Sequence, residues 1–286
     1  MAWQFLSGQL NINFDPFCQE NTPYHLFSME KTLFIRMATP THEGPFSLLT
    51  RKAYVNEEFH AFLEGYLFEK KKHLYINLQN STLGAPGNDE SPRCQALENL
   101  SLHYPENFII ITLNKNGSLW HQDGLFLTLD NSRAFKDALI KILLGKKGGY
   151  NFSCHINLSR LQQLINLIHE EFFALKATLC LQERKDFIEL LYTHIIEYLI
   201  ETLQPHSVNI TCKDGIDRAA TSSALYFLYK HLKRRGSLSP LDITHLKNIL
   251  FAPALLVKKR PPTYERFRRF QSAAKLFLNH YSMRQP

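Results

Sequence analysis

The chain has 286 residues, of which 44% are hydrophobic, enough for one large domain or two modest ones with an ample core. Its formal charge of +7 favours anionic partners: phosphorylated small molecules, an anionic membrane, nucleic acid or an acidic protein. The five cysteines lack the paired spacing of a disulfide framework, and no apolar run is long enough to span a membrane.

Strands and helices alternate in the first part of the chain. Apolar runs predict strands at 32–37 and 73–78, and helical periodicity predicts a helix over 57–71 between them. The stretch 84–92 is rich in glycine and proline, so we expect a loop there.

The middle of the chain continues this alternation. The apolar runs 108–113 and 118–121 flank the turn sequence Asn-Lys-Asn-Gly, which predicts a β-hairpin. Helical periodicity predicts helices at 132–144, 158–181 and 185–203.

The last third contains one more short strand, at Val208, and then helices from Ala219 and from Pro240. A basic helix is expected over about 257–280. Alternation of this kind predicts an α/β fold with a mixed sheet flanked by helices.

The most informative segment lies between the strand at Val208 and the helix at Ala219, and it reads Cys212-Lys213-Asp214-Gly215-Ile216-Asp217-Arg218. The backbone N–H groups of such a loop and of the following helix N-terminus converge on one point and favour an anion there. The same field stabilises a thiolate, so Cys212 is the predicted nucleophile. Arg218 is the predicted clamp for two phosphate oxygens, and Gly215 is expected at positive φ.

A second match to the Cys-x5-Arg spacing runs from Cys154 to Arg160. It contains no glycine, and its residues are not of the kind that wrap an anion. We interpret it as accidental, because a spacing by itself carries a high risk of chance matches. The prediction therefore depends on the context of Cys212: a β-branched strand before it, a glycine in the loop and a helix after it.

The loop 212–218 resembles the signature loop of cysteine-dependent phosphatases, especially those of phosphoinositides and inositol phosphates. Myotubularins and Sac-type lipid phosphatases have similar loops, with aspartates at the places of Asp214 and Asp217. Bacterial inositol-phosphatase effectors share the lysine at the place of Lys213 and the aspartate before the arginine. The resemblance covers about residues 207–230 and implies a strand–loop–helix catalytic core like that of protein-tyrosine phosphatases.

Two features differ from these relatives. Many of them have serine or threonine after the arginine, where the hydroxyl steadies the departing thiolate, but this chain has Ala219 and Ala220. Thr221 or Ser222, one turn later, is the candidate replacement. The histidine that precedes the cysteine in protein-tyrosine phosphatases is Thr211 here, which favours the lipid and inositol-phosphate branches.

The chemistry requires a general acid as well as a nucleophile. Attack of Cys212 on phosphorus expels an alkoxide, which leaves readily only when it is protonated, and a base must then activate water against the phosphocysteine. Asp217 is the first candidate acid, because similar loops in the lipid phosphatases have an acid there. Asp123, in an upstream Trp-x-x-Asp segment, and Asp214 are the alternatives. The residues expected to line the substrate site are Lys213, Asp214, Gly215 and Ile216.

The segment 258–270 is basic and carries aromatic residues among its charges. Two interpretations fit it: contact with an anionic membrane, or a helix that packs its aromatic face while its charges stay in water. No recognisable nucleic-acid motif accompanies the charge, and no ligand spacing indicates a structural zinc. We therefore expect neither nucleic acid nor a metal or other cofactor.

The sequence predicts one phosphatase domain over 1–286 that hydrolyses phosphate monoesters of phosphoinositides or inositol phosphates. The alternatives are a protein-tyrosine or dual-specificity phosphatase, and a catalytically silent phosphate-binding module whose Ala219 and Ala220 record lost turnover. A thiolate enzyme needs a reducing compartment, so we expect a soluble, cytoplasmic protein. The resemblance to bacterial effectors further implies delivery into a host cell and peripheral contact with its membranes.

Overall fold

The apolar runs of the sequence form a mixed sheet that is flanked by helices, so the predicted α/β fold is confirmed. The computed structural model describes residues 23–43, 52–82, 90–145, 148–151 and 155–282. The strands are β1 (Tyr24–Met29), β2 (Thr32–Arg36), β3 (Thr41–Glu43), β4 (Ala53–Val55), β5 (His73–Asn77), β6 (Phe108–Thr112) and β7 (Ser207–Thr211). The helices are α1 (Glu57–Phe68), α2 (Ser91–Ser101), α3 (Ser118–His121), α4 (Ser132–Leu143), α5 (Leu158–Phe173), α6 (Leu181–Leu203), α7 (Asp217–Arg235), α8 (Pro240–Lys258) and α9 (Tyr264–Ser282).

The central sheet has the strand order β1-β2-β7-β5-β6, and β3 pairs with β4 in a separate ribbon. β1 is antiparallel to β2, whereas β2, β7, β5 and β6 are parallel to one another. Since the carboxyl ends of parallel strands meet at one edge of a sheet, the residues that follow these four strands come together there. Cys212 directly follows β7, the middle strand of the sheet.

Helices cover both faces of the sheet because alternate side chains of a strand point to opposite sides. On one face, Tyr75 and Phe108 pack in a cluster with Phe59 of α1 and Leu97 of α2. On the other face, the neighbouring strand residues belong to a larger core formed with α4, α5, α6, α7 and α9. The sheet is therefore buried on both sides, and only its edges are left for a site.

The strand–loop–helix unit around Cys212 is confirmed as β7, the loop and α7. The other predicted elements that are confirmed, with small differences at their ends, are those at 32–37, 57–71, 73–78, 108–113, 132–144, 185–203 and from Pro240.

The predicted β-hairpin is wrong. β6 pairs in parallel with β5, and residues 118–121 form the short helix α3. Asn114, in the expected turn, instead accepts the Asn116 N–H with its side chain, at 2.8 Å. Its carbonyl accepts the buried hydroxyls of Tyr150 and Tyr192, at 3.3 and 3.1 Å. These tertiary contacts override the local turn signal and lead the chain away from β6.

The helix predicted over 158–181 is too long. α5 ends at Phe173, where Ala174 and Leu175 follow with positive φ values of 48° and 55°. Such values stop a right-handed helix, because residues with a Cβ rarely adopt them outside single caps and turns. The next helix, α6, accordingly begins at Leu181.

The prediction of one continuous basic helix over 257–280 is also wrong. This segment comprises the end of α8, a connector at 259–263 and most of α9. The connector breaks the helix because Lys259 has φ of 53° and the two prolines that follow lack the N–H groups that would continue α8. Phe270 and Phe277 of α9 are buried, so the apolar face of this helix packs on the domain.

α2, β1 and the ribbon of β3 and β4 were not predicted. α2 begins at Ser91, inside the stretch predicted as a loop, and residues 84–89 of that stretch lie outside the described residues. Cys154 lies outside them as well. Among the helices that the structure describes, none combines the length and apolar character needed to cross a membrane.

Candidate active site

The loop 212–218 is held by residues that follow or end β2. Thr39 donates its hydroxyl to the Cys212 carbonyl at 3.2 Å and its N–H to the Lys213 carbonyl at 3.1 Å. The buried Arg36 guanidinium donates to the next two carbonyls, those of Asp214 at 2.6 Å and Gly215 at 3.1 Å. Four successive carbonyl oxygens are thus bound from the β2 side, and the Cys212 carbonyl also accepts the Gly215 N–H, at 3.0 Å.

Gly215 is required at its position. Its φ of 64° lies in the left-handed region, as predicted. A Cβ there would stand 2.3 Å from the carbonyl oxygen of Met37, which is backbone and cannot move aside. The loop therefore passes closer to the end of β2 than any other residue type allows.

The loop presents unbonded donors at the start of α7. Within the described residues, no hydrogen-bond acceptor takes the backbone N–H groups of Asp214, Ile216 and Arg218. They lie at the positive end of a 19-residue helix. Both properties favour an anion at this point.

Cys212 and Arg218 lie together in this loop. The Cys212 side chain is buried, with 4% of the residue exposed. Burial by itself lowers the pKa of Arg218, but interactions with Cys212 and Glu90 outweigh it and raise the pKa above its usual value. Cys94 differs, because burial raises the pKa of its thiol to about 12. Arg218 also lies near Cys94, but there its effect is outweighed by burial, whereas among the thiols that the structure describes that of Cys212 interacts with Arg218 through a hydrogen bond as well as charge.

Glu90 positions the Arg218 guanidinium, and the sequence contained no signal for it. Both carboxylate oxygens of Glu90 accept hydrogen bonds from Arg218. In this ion pair, 12% of the Arg218 side chain and 6% of the Glu90 side chain are exposed. Arg218 also donates to the Leu78 carbonyl at 3.1 Å, and Glu90 accepts the Asn80 N–H at 2.8 Å. The guanidinium is therefore fixed by the ends of β5 and the start of α2, elements far away along the chain.

Asp217, the first candidate acid, is bound to the connector between α8 and α9. Its carboxylate accepts two hydrogen bonds from Arg260, at 2.7 and 2.9 Å, and one from the Thr263 N–H at 2.8 Å. Burial alone raises the pKa of Asp217, but these contacts outweigh it and lower the pKa below its usual value. In this arrangement Asp217 is an ionised acceptor and carries no proton to donate.

The remaining residues of the predicted site have distinct environments. Lys213 is exposed, Asp214 is partly exposed with its carboxylate 3.6 Å from the Lys258 ammonium, and Ile216 is buried. The hydroxyls of Thr221 and Ser222 donate to carbonyls in the first turn of α7, at 2.9 and 2.8 Å. Both hydroxyl protons are therefore hydrogen-bonded within the helix. Neither Thr221 nor Ser222 offers the hydroxyl donor that Ala219 and Ala220 lack.

Asp123, the alternative acid, is exposed at the end of the segment that contains α3. The same segment contacts the first turns of α9: His121 lies 3.5 Å from Glu265, and Trp120 stacks against Arg266. Asp123 therefore reaches the same edge of the sheet as Cys212. Within the described residues, no hydrogen bond or ion pair links it to the loop 212–218.

Two large surface clefts lie away from this loop. One, of about 790 Å³, opens at the opposite edge of the sheet and is lined by Lys70, Lys71 and Lys72. The other, of about 550 Å³, lies between α5, α6 and α7. No residue of 212–218 lines either of them, so the donors and charges of the loop, and not cavity size, identify the candidate site.

The part of the chain that the structure describes contains no group of three or more His, Cys, Asp or Glu residues arranged to hold a metal ion. Comparison with family models, curated proteins and solved structures finds no match to this chain. A function can therefore be inferred only from the geometry of the loop and from the sequence resemblance of residues 207–230.

Proposed function

We propose that this protein is a cysteine-dependent phosphatase of phosphoinositides or inositol phosphates, built on a strand–loop–helix core like that of protein-tyrosine phosphatases. One observation carries the proposal. The carbonyls of residues 212–215 are all bound by donors from the β2 side. Within the described residues, the N–H groups of Asp214, Ile216 and Arg218 stay unbonded at the start of α7, and the Arg218 side chain interacts with Cys212. Such a cradle binds a tetrahedral dianion and stabilises the charge that develops on its equatorial oxygens.

In the proposed reaction, the Cys212 thiolate attacks phosphorus and a sulfur–phosphorus bond replaces the bond to the leaving oxygen. The departing alkoxide takes a proton from a general acid. Water then attacks the phosphocysteine, giving inorganic phosphate and restoring the thiolate. Arg218, fixed by Glu90, holds two phosphate oxygens throughout.

Asp217 remains the proposed acid because of its place in the motif, but its present contacts set a condition. It must lose its Arg260 contact and gain a proton before it can donate one, since its pKa is lowered in this arrangement. Substrate binding provides a physical cause for this change, because an entering phosphate dianion repels the carboxylate and attracts Arg260. Asp123 and Asp214 stay the alternatives.

Contact with an anionic membrane is proposed through the exposed basic residues near the loop, and not through the buried aromatic face of α9. Lys258, Lys259 and Arg268 are exposed, and Tyr264 is 74% exposed among them. Lys258 lies beside the loop that contains Cys212, since it pairs with Asp214. A lipid headgroup approaching this surface would meet the catalytic loop.

A catalytically silent phosphate-binding module is the second candidate. It is favoured by the hydroxyls of Thr221 and Ser222, which are engaged in α7 and leave the thiolate without the usual hydroxyl donor. Binding without turnover would distinguish it from the enzyme.

Phosphate release from a panel of phosphoinositides and soluble inositol phosphates tests the proposal. We expect wild-type protein to release phosphate and Cys212→Ser to release none while still binding substrate, because serine keeps the shape but not a stable anion. Cys180→Ser, which alters an exposed free thiol elsewhere, is the matched control and should keep full activity. Full activity of Cys212→Ser would exclude the mechanism.

A further inference from the structure

A second arginine lies beside the candidate phosphate site without belonging to the signature loop. Arg266 is in the first turn of α9, and its guanidinium carbon lies 3.7 Å from the centroid of the Trp120 ring. Its Nη1 donates to the Lys115 carbonyl at 2.7 Å. Arg266 as a whole residue is partly exposed.

Backbone contacts place this group next to Arg218. The Leu78 carbonyl, at the end of β5, accepts both from the Arg218 guanidinium and from the Lys115 N–H, each at 3.1 Å. Arg266 binds the carbonyl of that same Lys115. The two guanidinium groups are therefore linked through the backbone of Leu78 and Lys115. Burial lowers the pKa of Arg266 to about 10, and repulsion from Arg218 adds to this effect.

Among the residues that the structure describes, Arg266 differs from its neighbours in having no carboxylate within ion-pair distance, although Glu265 and Glu189 attract it from further away. Arg218 pairs with Glu90, and Arg260 pairs with Asp217. Arg269 lies 3.3 Å from Glu189. Within the part of the chain that the structure describes, no carboxylate lies in ion-pair range of Arg266. A partly buried cation without a counter-ion, beside another cation, is costly unless an anion binds there.

The position of Arg266 is fixed although it lacks an ion pair. Trp120 donates its indole N–H to Glu189 at 2.7 Å, and the Arg269 guanidinium lies 3.8 Å from its ring centroid. Two cations so close to one centroid must occupy opposite faces of the ring, so Arg266 covers the face that Arg269 leaves free. A guanidinium held by stacking is preorganised to bind an anion with little loss of side-chain entropy.

We propose that Arg266 forms a second anion subsite, which binds a further phosphate of the substrate while Arg218 holds the phosphate that is cleaved. This inference rests on the proposed function, because it places the scissile phosphate at Cys212. It specifies the substrate class as compounds with at least two phosphates, such as inositol bisphosphates or the headgroups of bisphosphorylated phosphoinositides.

Binding to the Cys212→Ser protein tests the subsite without turnover. Calorimetric titration would compare inositol 1-phosphate with inositol bisphosphates whose phosphates lie on neighbouring or on opposite ring carbons. We expect at least one bisphosphate to bind more tightly than the monophosphate. Arg266→Gln should weaken binding of that bisphosphate roughly 10- to 100-fold, the effect of losing a charge-assisted contact, and leave the monophosphate unchanged.

Two further variants make the result decisive. Lys275→Gln removes a positive charge from an exposed position further along α9 and should change neither affinity. Arg266→Lys keeps the charge and replaces the glutamine variant in the test if that variant fails to fold. We expect a selective loss of affinity for the bisphosphate there too, because an ammonium does not stack as a guanidinium does. Equal losses for both ligands, or none, would overturn the subsite while leaving the phosphatase proposal intact. Failure of the Cys212→Ser protein to bind any of these phosphates would instead overturn both.

Discussion

The two edges of the central sheet both carry positive charge, but they carry it in different forms. At the carboxyl edge, Arg36 and Arg218 are buried or nearly so, and each is held by several acceptors. At the opposite edge, Lys70 and Lys72 are exposed on a turn, and Lys71 forms only an exposed pair with Glu69. The lysine edge also carries a cleft of about 790 Å³.

This difference shows why charge by itself does not identify a phosphate site. Exposed lysines are well hydrated and screened by salt, so their attraction for one anion is weak and poorly directed. The arginines of the carboxyl edge were ordered during folding, with their hydrogen-bond directions set by carbonyls and carboxylates. A phosphate that binds there meets donors that need no further ordering.

The largest expected effect outside the loop concerns Glu90. Glu90→Gln removes the carboxylate that fixes Arg218, so we expect kcat/KM for an inositol phosphate to fall by about 10- to 100-fold through misplacement of the clamp. Steady-state phosphate release measures it. Glu69→Gln, which removes a carboxylate from the lysine edge, is the matched control and should leave kcat/KM unchanged. Equal activity of both variants would show that the Glu90 pair at the carboxyl edge matters no more for catalysis than the Glu69 pair at the lysine edge.

A smaller and more specific effect is expected from the Arg260 pair with Asp217. Arg260 contributes to the lowered pKa of Asp217, so Arg260→Gln should raise that pKa. If Asp217 is the general acid, the rate is lost as pH rises through its pKa, and the basic limb of the pH–rate profile should therefore move to higher pH in the variant.

Lys258→Gln is the control for that profile, because it removes a charge from the neighbouring Asp214 pair and leaves the Asp217 contacts in place. Its basic limb should stay where the wild-type limb is. If the profile of Arg260→Gln is also unmoved, Asp217 holds the connector in place and is not the general acid. The general acid is then Asp123 or Asp214.

The smallest effect is expected at the lysine edge itself. Replacing Lys70, Lys71 and Lys72 together by glutamine should change kcat/KM for soluble inositol phosphates by less than about twofold at physiological salt, because these charges are exposed and lie across the sheet from Cys212. A tenfold loss measured in the phosphate-release assay would mean that the lysine edge takes part in substrate binding.

The sequence by itself determined the local unit at the centre of the site. A β-branched strand, a glycine that must adopt positive φ at 215 and a helix that begins next to Arg218 are properties of adjacent residues, and the structure has each of them. The apolar periodicity likewise predicted most of the strands and helices, since burial of one or both faces is written into residue spacing.

Only the tertiary structure decided which distant side chains complete this unit. Glu90 reaches Arg218 from a chain segment 128 residues away, Arg36 holds the loop carbonyls from 178 and 179 residues away, and Arg266 approaches from a helix that follows. The failed hairpin after β6 has the same cause, because Asn114 satisfies its hydrogen bonds with tyrosines of other elements. A local pattern encodes backbone torsions and burial, but an ion pair across the fold depends on how whole elements pack, and no spacing along the chain records that.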